Sequence, residues 1–408
     1  MFSNADAWLD AGQSFLTYWA GRQAVGTAVD RRRIAIFLST SGHSGVDRAM
    51  QHLIPALAAR GYAIDLLKVR KHGPNLAEIP ENVRVIDTGA RTTYAALPAL
   101  VRYLHRERPG VLLADKDRVN RTALAARWLA RAHGTRLVLS SGTTISIDLQ
   151  HRGAFERRLQ RWSMGRLYRH ADQVIVTCDA VADDMSAYTG LPRARIRAAA
   201  SPVVPASLFD GKPAAPEHPW FGAGKTVPVI VAVGELSHRK GCDTLIRAFA
   251  RLRAQRAARL VIVGKGKDGQ REQFQALAAA LGVGADVDFP GFRRDAYAFM
   301  AHADAFAMAS RWEGLGFVLI EALACGTPSA ATDCPSGPRE ILADGRCGPL
   351  VAVDDDAALA DALAQLLDAP LPRETLQAAA RRYEIEAATD DYLRAFGLPP
   401  RASDVELR

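Results

Sequence analysis

Cysteine is scarce in this chain: there are five among 408 residues, at Cys178, Cys242, Cys325, Cys334 and Cys347. The number is odd and no two stand as a C-x-x-C pair, which argues against both a disulfide framework and a zinc site. Long hydrophobic runs are missing too; no stretch approaches the roughly 20 apolar residues that span a bilayer. The opening residues, MFSNADAWLDAGQSFLTYWAGRQ, lack a basic start and carry Asp6 and Asp10, so they do not read as a secretory signal. A cytoplasmic location is expected. Lysine is also rare, with only 8 among 52 basic residues, yet arginine brings the formal net charge to +8. Two readings of that bias stay open. It is a genome-wide habit of composition, or it marks a surface for anionic partners such as nucleic acid, sugar nucleotides or the phosphate-rich face of a membrane.

Hydrophobic residues make up 49% and charged residues 24%, the balance of a folded globular protein. The length suits two or three domains. Short apolar runs of buried-strand length alternate with amphipathic stretches. IAIFLS (residues 34–39) is followed by a Gly/Ser loop and a helical pattern through Met50, Leu53, Ile54, Leu57 and Ala58, stopped by Gly61. AIDLL, VRVID, VLLA, RLVLS and QVIVT follow, each expected to be separated by a helix. This is the alternation of a parallel, doubly wound sheet. Pro202, Pro205, Pro213, Pro216 and Pro219 then interrupt the pattern. The rhythm restarts with VPVIVAVG, RLVIVG, VDFPG, ADAFAMAS, TPSAAT and GPLVAV. The expected organisation is an N-terminal extension over 1–30, a first α/β domain over 31–198, a linker over 199–226, a second α/β domain over 227–384, and a final helix and tail over 385–408. Within the extension, Trp8, Phe15, Leu16 and Trp19 suggest an amphipathic helix, packed on the protein or touching a membrane.

In open parallel sheets, ligands sit beyond the carboxyl ends of the strands, where helix starts offer free N–H groups. The most informative such segment is RWEGLGFVLIEALACG. Glu313 precedes a helix expected from Gly316, and Glu321 falls within it, eight positions on. The N–H groups of Leu315, Gly316 and Phe317 would point out of the helix start and suit a diphosphate. The alternative is a surface loop with two solvated glutamates.

Together with VAVGELSHRKGCDTLIRAF, RLVIVGKGKDGQREQFQALAAALGV, VDFPGF and ATDCPSGPREIL, this segment resembles the E-x7-E motif of the retaining glycosyltransferases of the GT-B fold, family 4. The resemblance covers nearly the whole second half. It implies two Rossmann-like domains facing a central cleft, with the last helix returning to the first domain. It implies that Glu321 holds the donor ribose, that Glu313 contacts the transferred sugar or organises the leaving phosphate, and that Lys240 neutralises the diphosphate. Arginine is usual five positions before that lysine; here stands Glu235, and Arg239 is the candidate replacement. GFRRD makes Arg293 a candidate contact to the base or a phosphate. GKGKDG lacks phosphate-loop spacing, so an NTPase is rejected. STSGHSGVDR resembles the glycine-rich loop over the donor phosphates, with Gly42 and Gly45 allowing backbone approach. His43 in that loop reads as a bystander. Relatives place a histidine after the strand corresponding to RLVLS; this chain has Gly142, with Ser141, Thr143 and Thr144 as alternative hydroxyls.

Asp115-Lys116-Asp117 has D-x-D spacing, but a structural or capping role is favoured and no metal is expected. Asp354–Asp356 read as a helix cap. The expected donor is a UDP- or GDP-linked sugar, a substrate, with no cofactor. The expected acceptor is a glycan or lipid-linked hydroxyl, with peripheral contact to an anionic membrane. Nucleic-acid binding rests on charge alone and is not expected. The rivals are a sugar-nucleotide 2-epimerase of the same fold and an inactive sugar-nucleotide-binding protein. An NAD oxidoreductase is excluded by the missing G-x-G-x-x-G fingerprint.

Overall fold

The computed structural model describes residues 28–405 apart from His43, His151 and Ala223. Two parallel sheets organise them. The first has seven strands: β1 (Asp30–Leu38), β2 (Ala63–Lys68), β3 (Val83–Asp87), β4 (Pro109–Asp115), β5 (Arg136–Ser141), β6 (Gln173–Val176) and β7 (Ile196–Ala198), in the order β3-β2-β1-β4-β5-β6-β7. The second has six: β8 (Val229–Val233), β9 (Arg259–Val263), β10 (Val287–Gly291), β11 (Ala305–Met308), β12 (Ser329–Thr332) and β13 (Leu350–Val351), in the order β10-β9-β8-β11-β12-β13. The two orders share one logic: the chain winds outward, returns to the middle and winds out the other way. Each sheet therefore has a switch point, between β1 and β4 and between β8 and β11, where adjacent loops diverge and leave a crevice.

Helices on both faces explain why the strands are apolar throughout rather than alternating. In β1, Ile34, Ile36 and Leu38 enter one core, while Ala35 and Phe37 enter the other. In β8, Ile230 and Ala232 face one side, Val229 and Val231 the opposite one. One apolar cluster runs from the first sheet through Val203, Phe209 and Tyr383 to Leu315 and Leu319, so the two halves share buried surface.

The strands expected from IAIFLS, AIDLL, VRVID, VLLA, RLVLS and QVIVT are all present, but the alternation fails once. No helix connects β2 to β3. Gly73, Pro74 and Pro80 fall in that connection, and the prolines deny it helical hydrogen bonds. The proline-rich stretch after β7 holds one short helix, Ser207–Asp210. The final segment divides into helices Arg373–Ala380 and Ile385–Phe396. The second of these packs on the helix Gly45–Ala59, and its Tyr392, Leu393 and Phe396 join the core beneath β1. Asp355 caps the helix Asp356–Asp368, its side chain accepting from the Ala358 N–H at 2.9 Å. The aromatic residues expected in an N-terminal helix lie outside the described residues, as does His43.

Because Phe396 is almost fully buried against the first sheet's helix layer, Phe396→Ala is expected to cost about 3–5 kcal/mol. Chemical denaturation with a probe in each half checks this; loss of less than about 1 kcal/mol would mean the helix contributes little to the first half.

Candidate functional site

Three loops at carboxyl ends of the central strands converge between the sheets: the one after β1, the one after β8 and the one after β11. Ser44 caps the helix Gly45–Ala59, closing a capping box with Asp47 whose carboxylate accepts the Ser44 N–H at 2.8 Å. Thr40 also donates to Asp47. This fixes the glycine loop, in which Gly42 has φ +89°, against the opposite half. A Cβ on Gly45 would lie 3.4 Å from the Phe317 ring. A Cβ on Gly314 would meet the Gly142 carbonyl oxygen at 2.5 Å, inside contact distance. The backbones of the two halves therefore approach closely at Gly314, where a side chain would strike the Gly142 carbonyl, whereas a Cβ on Gly142 itself would only touch the Thr177 methyl at 3.6 Å.

The loop after β8 runs through Glu235 to a single turn, His238–Lys240, and into the helix Cys242–Gln255. It delivers Arg239 and Lys240 to Glu313 on the loop after β11. The Lys240 ammonium donates to one Glu313 oxygen at 2.6 Å, Arg239 to the other at 3.0 Å, and the Ser310 hydroxyl donates at 2.7 Å. Ser336 donates to the Glu313 carbonyl at 2.9 Å. Glu313 is 8% exposed. Burial pushes its carboxyl up, but the charges of Lys240 and Arg239 outweigh burial and hold it below the usual carboxylate range.

Two residues further on, Leu315 is buried, and Gly316, with φ +94°, starts the helix Phe317–Ala324. The N–H groups of Leu315, Gly316 and Phe317 donate to nothing among the described residues. These free donors stand beside two cations, an arrangement that attracts an anion.

Glu321 lies one turn into that helix and is 2% exposed. Its partners come from further away. Arg48, in the first turns of the helix Gly45–Ala59, reaches across the crevice and forms an ion pair with one Glu321 oxygen. The Tyr297 hydroxyl donates to the same oxygen at 3.1 Å. Burial dominates here and raises the Glu321 carboxyl, with Arg48 offsetting part of the effect. Sequence reading missed Arg48 and Tyr297, which lie 273 and 24 positions from Glu321. The only local hint of Arg48 was its place one turn beyond the glycine loop.

The remaining candidates stand apart from this cluster or are already engaged. Arg293 forms two hydrogen bonds of 3.0 Å to Asp295 and lies over the Phe299 ring. Glu235 borders the small pocket formed by Gly234, Lys240 and Ser310; its carboxylate is exposed and has no hydrogen-bonded or ionic partner among the described residues. Asp117 is occupied by Ser163, Tyr168 and Arg121 at 2.9, 3.1 and 2.8 Å. Asp115 is buried at the end of β4, and burial pushes it up to about 6.

Arg48→Gln removes the cation paired with Glu321 and leaves only the Tyr297 hydrogen bond and the weaker influence of Lys240 to oppose burial of that carboxyl. With Arg48 42% exposed, solvent screening limits the expected loss to about 1–2 kcal/mol at neutral pH. A carboxyl raised in the folded state destabilises fully above its folded pKa and not at all below its unfolded one. The gap between variant and parent should therefore shrink as pH falls toward the ordinary carboxylate range, as pH-dependent denaturation would show. A gap constant with pH would contradict the pairing.

The family model for glycosyl transferases group 1 matches residues 217–383, and that for the glycosyl transferase 4-like domain matches residues 44–200. The lipopolysaccharide core biosynthesis glycosyltransferase LpsE of Rhizobium meliloti (strain 1021) is 27% identical over 366 residues, 87% of this chain and 96% of its own. The D-inositol 3-phosphate glycosyltransferase of Actinosynnema mirum is 30% identical over 289 residues, 66% of this chain and 69% of its own. Among solved structures, Anabaena HepE in complex with UDP superimposes with a TM-score of 0.73 at 18% identity, covering 90% of this chain and 99% of HepE. With its two parallel sheets and both halves matched in order, the chain belongs to the family 4-like glycosyltransferases of the GT-B fold.

Proposed function

We propose that this glycosyltransferase moves a sugar from a UDP- or GDP-linked donor to a hydroxyl of a lipopolysaccharide-type or other lipid-linked glycan, with retention of configuration. The observation that carries the reading is the group of free N–H donors at Leu315, Gly316 and Phe317 beside Lys240 and Arg239. A diphosphate seated there would complete the orphan donors of the helix start and take up the two cations. Glu321 would accept the ribose hydroxyls one helical turn away, held in orientation by Arg48 and Tyr297. The nucleotide base would then extend toward Arg293, and the sugar toward Glu313 and the Gly142–Thr144 segment. The relatives' names support the substrate classes: LpsE is named for lipopolysaccharide core biosynthesis, and HepE was solved with UDP.

Retention follows if the acceptor attacks from the face the leaving group departs. The bond from the anomeric carbon to the diphosphate breaks, the bond to the acceptor oxygen forms, and the acceptor proton passes to the departing phosphate oxygen. Charge grows on that phosphate, where Lys240, Arg239 and the helix start are already fixed; fixed positive charge needs no reorganisation during the reaction. Contact between the halves at Gly45–Phe317 and Gly142–Gly314 limits the entry of water, which would otherwise compete as acceptor.

Release of nucleoside diphosphate should require an acceptor and a matched sugar nucleotide, and the product should be an α-linked glycan from an α-linked donor. Acceptor-independent isomerisation of the donor would instead make the chain an epimerase. Lys240→Ala is expected to lower kcat about 100- to 1000-fold, and Glu321→Ala to abolish the thermal shift with nucleotide sugar. A Lys240→Ala enzyme of unaltered kcat would remove the diphosphate assignment.

Glu235 takes the place of a usual arginine, and its carboxylate would repel a diphosphate nearby. Glu235→Ala should therefore leave donor affinity unchanged or improved in calorimetric titration. Weakening by more than about tenfold would show that Glu235 has a binding role of its own.

A further inference from the structure

The helix Ala154–Trp162, on the first half, carries its aromatic residues on the wrong side for a globular protein. Its inner side holds the buried Gln160 and the half-buried Leu159, and the turn that follows buries Ser163 and Met164. Phe155 and Trp162, seven positions apart and so on one face, are 80% and 55% exposed. A shallow depression beside Trp162 is lined by Arg158, Arg161, Arg166 and Arg169. None of these four is ion-paired among the described residues; Arg161 lies over the Tyr188 ring at 5.6 Å, and Arg169 donates to the Gly190 carbonyl at 3.4 Å.

The acidic groups nearby do not balance them. Glu156 is taken by Arg118 at 2.8 Å and Arg152 at 3.0 Å. Asp179 and Asp183 pair with Arg193 at 2.5 and 2.6 Å. Asp184 accepts the Ser146 N–H at 3.0 Å. The outward surface is thus a block of unneutralised arginine around two exposed aromatic rings.

We propose that this surface docks the protein on an anionic lipid bilayer. The phosphates of the headgroups would meet the arginine fork donors, and Phe155 and Trp162 would enter the boundary between headgroups and acyl chains. Charge and exposed rings would also suit single-stranded RNA, whose bases stack on aromatic side chains, but stacking does not call for two rings on one face of a helix edged with arginine. A bilayer does, because aromatic side chains are favoured at the interface of water and hydrocarbon. The chain path also fits: β5 ends at Ser141, next to Gly142 in the crevice, and the helix Ile145–Gln150 leads on toward the helix Ala154–Trp162. A docked enzyme would then open its crevice near the plane where a lipid-linked acceptor lies. The docking itself does not rest on the proposed reaction, since the surface lies outside the crevice.

The full chain is sedimented with vesicles of phosphatidylcholine mixed with phosphatidylglycerol, and with phosphatidylcholine alone. Binding is expected to the mixed vesicles only, and to be lost at roughly 1 M salt, where the Debye length is about 3 Å. A combined Arg158→Gln, Arg161→Gln, Arg166→Gln variant should bind them about a hundredfold more weakly. A Phe155→Ser, Trp162→Ser variant should lose binding while retaining the parent's melting temperature. No donor or acceptor is present, so failure here leaves the transfer reaction untouched. The docking is overturned if the full chain stays in solution, if the variants bind like the parent, or if the surface instead captures single-stranded RNA or a second copy of the chain.

Discussion

A carboxylate as deeply buried as Glu313 can keep its charge only if cations stand against it, and that requirement organises the crevice. Lys240 and Arg239 come from a loop more than seventy positions earlier in the chain, and the Ser310 hydroxyl completes the set. The loops after β8 and β11 are thereby locked together at the switch point of the second sheet. With those loops fixed, the start of the helix Phe317–Ala324 presents its N–H groups in one direction beside two cations. Glu313 pairs with both cations, but its single negative charge leaves a net positive charge on the trio. An arriving anion would find positive charge held in place rather than having to recruit it.

The first half contributes by approach rather than by supplying a second charged cluster. Glycine at 45 and 314 lets its loops come within contact distance of Phe317 and the loop after β11, and Arg48 crosses the gap to Glu321. That ion pair joins the two halves at the side chain the family resemblance assigns to the ribose. Because Arg48 and Tyr297 share one oxygen of Glu321, the position of the carboxylate depends on how the halves are placed. The C-terminal helix, buried beneath β1, ties the chain's end into the same arrangement.

The departures from the family pattern have different physical readings. Gly142 offers its carbonyl to the close approach of Gly314, but a Cβ at 142 would meet only the Thr177 methyl at 3.6 Å, so the structure gives no steric reason for glycine there. Glu235 is exposed at the rim of the crevice and contributes no pairing to the cluster. The arginine usual at that position is matched in sign by Arg239, already bound to Glu313.

The sequence by itself determined the strands, the doubly wound class and the E-x7-E segment, because runs buried on both faces leave a composition that survives without coordinates. It misread the connection between β2 and β3, where spacing suited a helix but Pro74 and Pro80 do not. It singled out Lys240, Glu313 and Glu321 as candidates but not the side chains they contact. Only the tertiary structure decided that Arg48 meets Glu321, since a pairing across 273 positions leaves no periodicity to read. The same holds for the helix Ala154–Trp162. Its amphipathic pattern is legible, but which face meets solvent depends on what the rest of the fold packs against it.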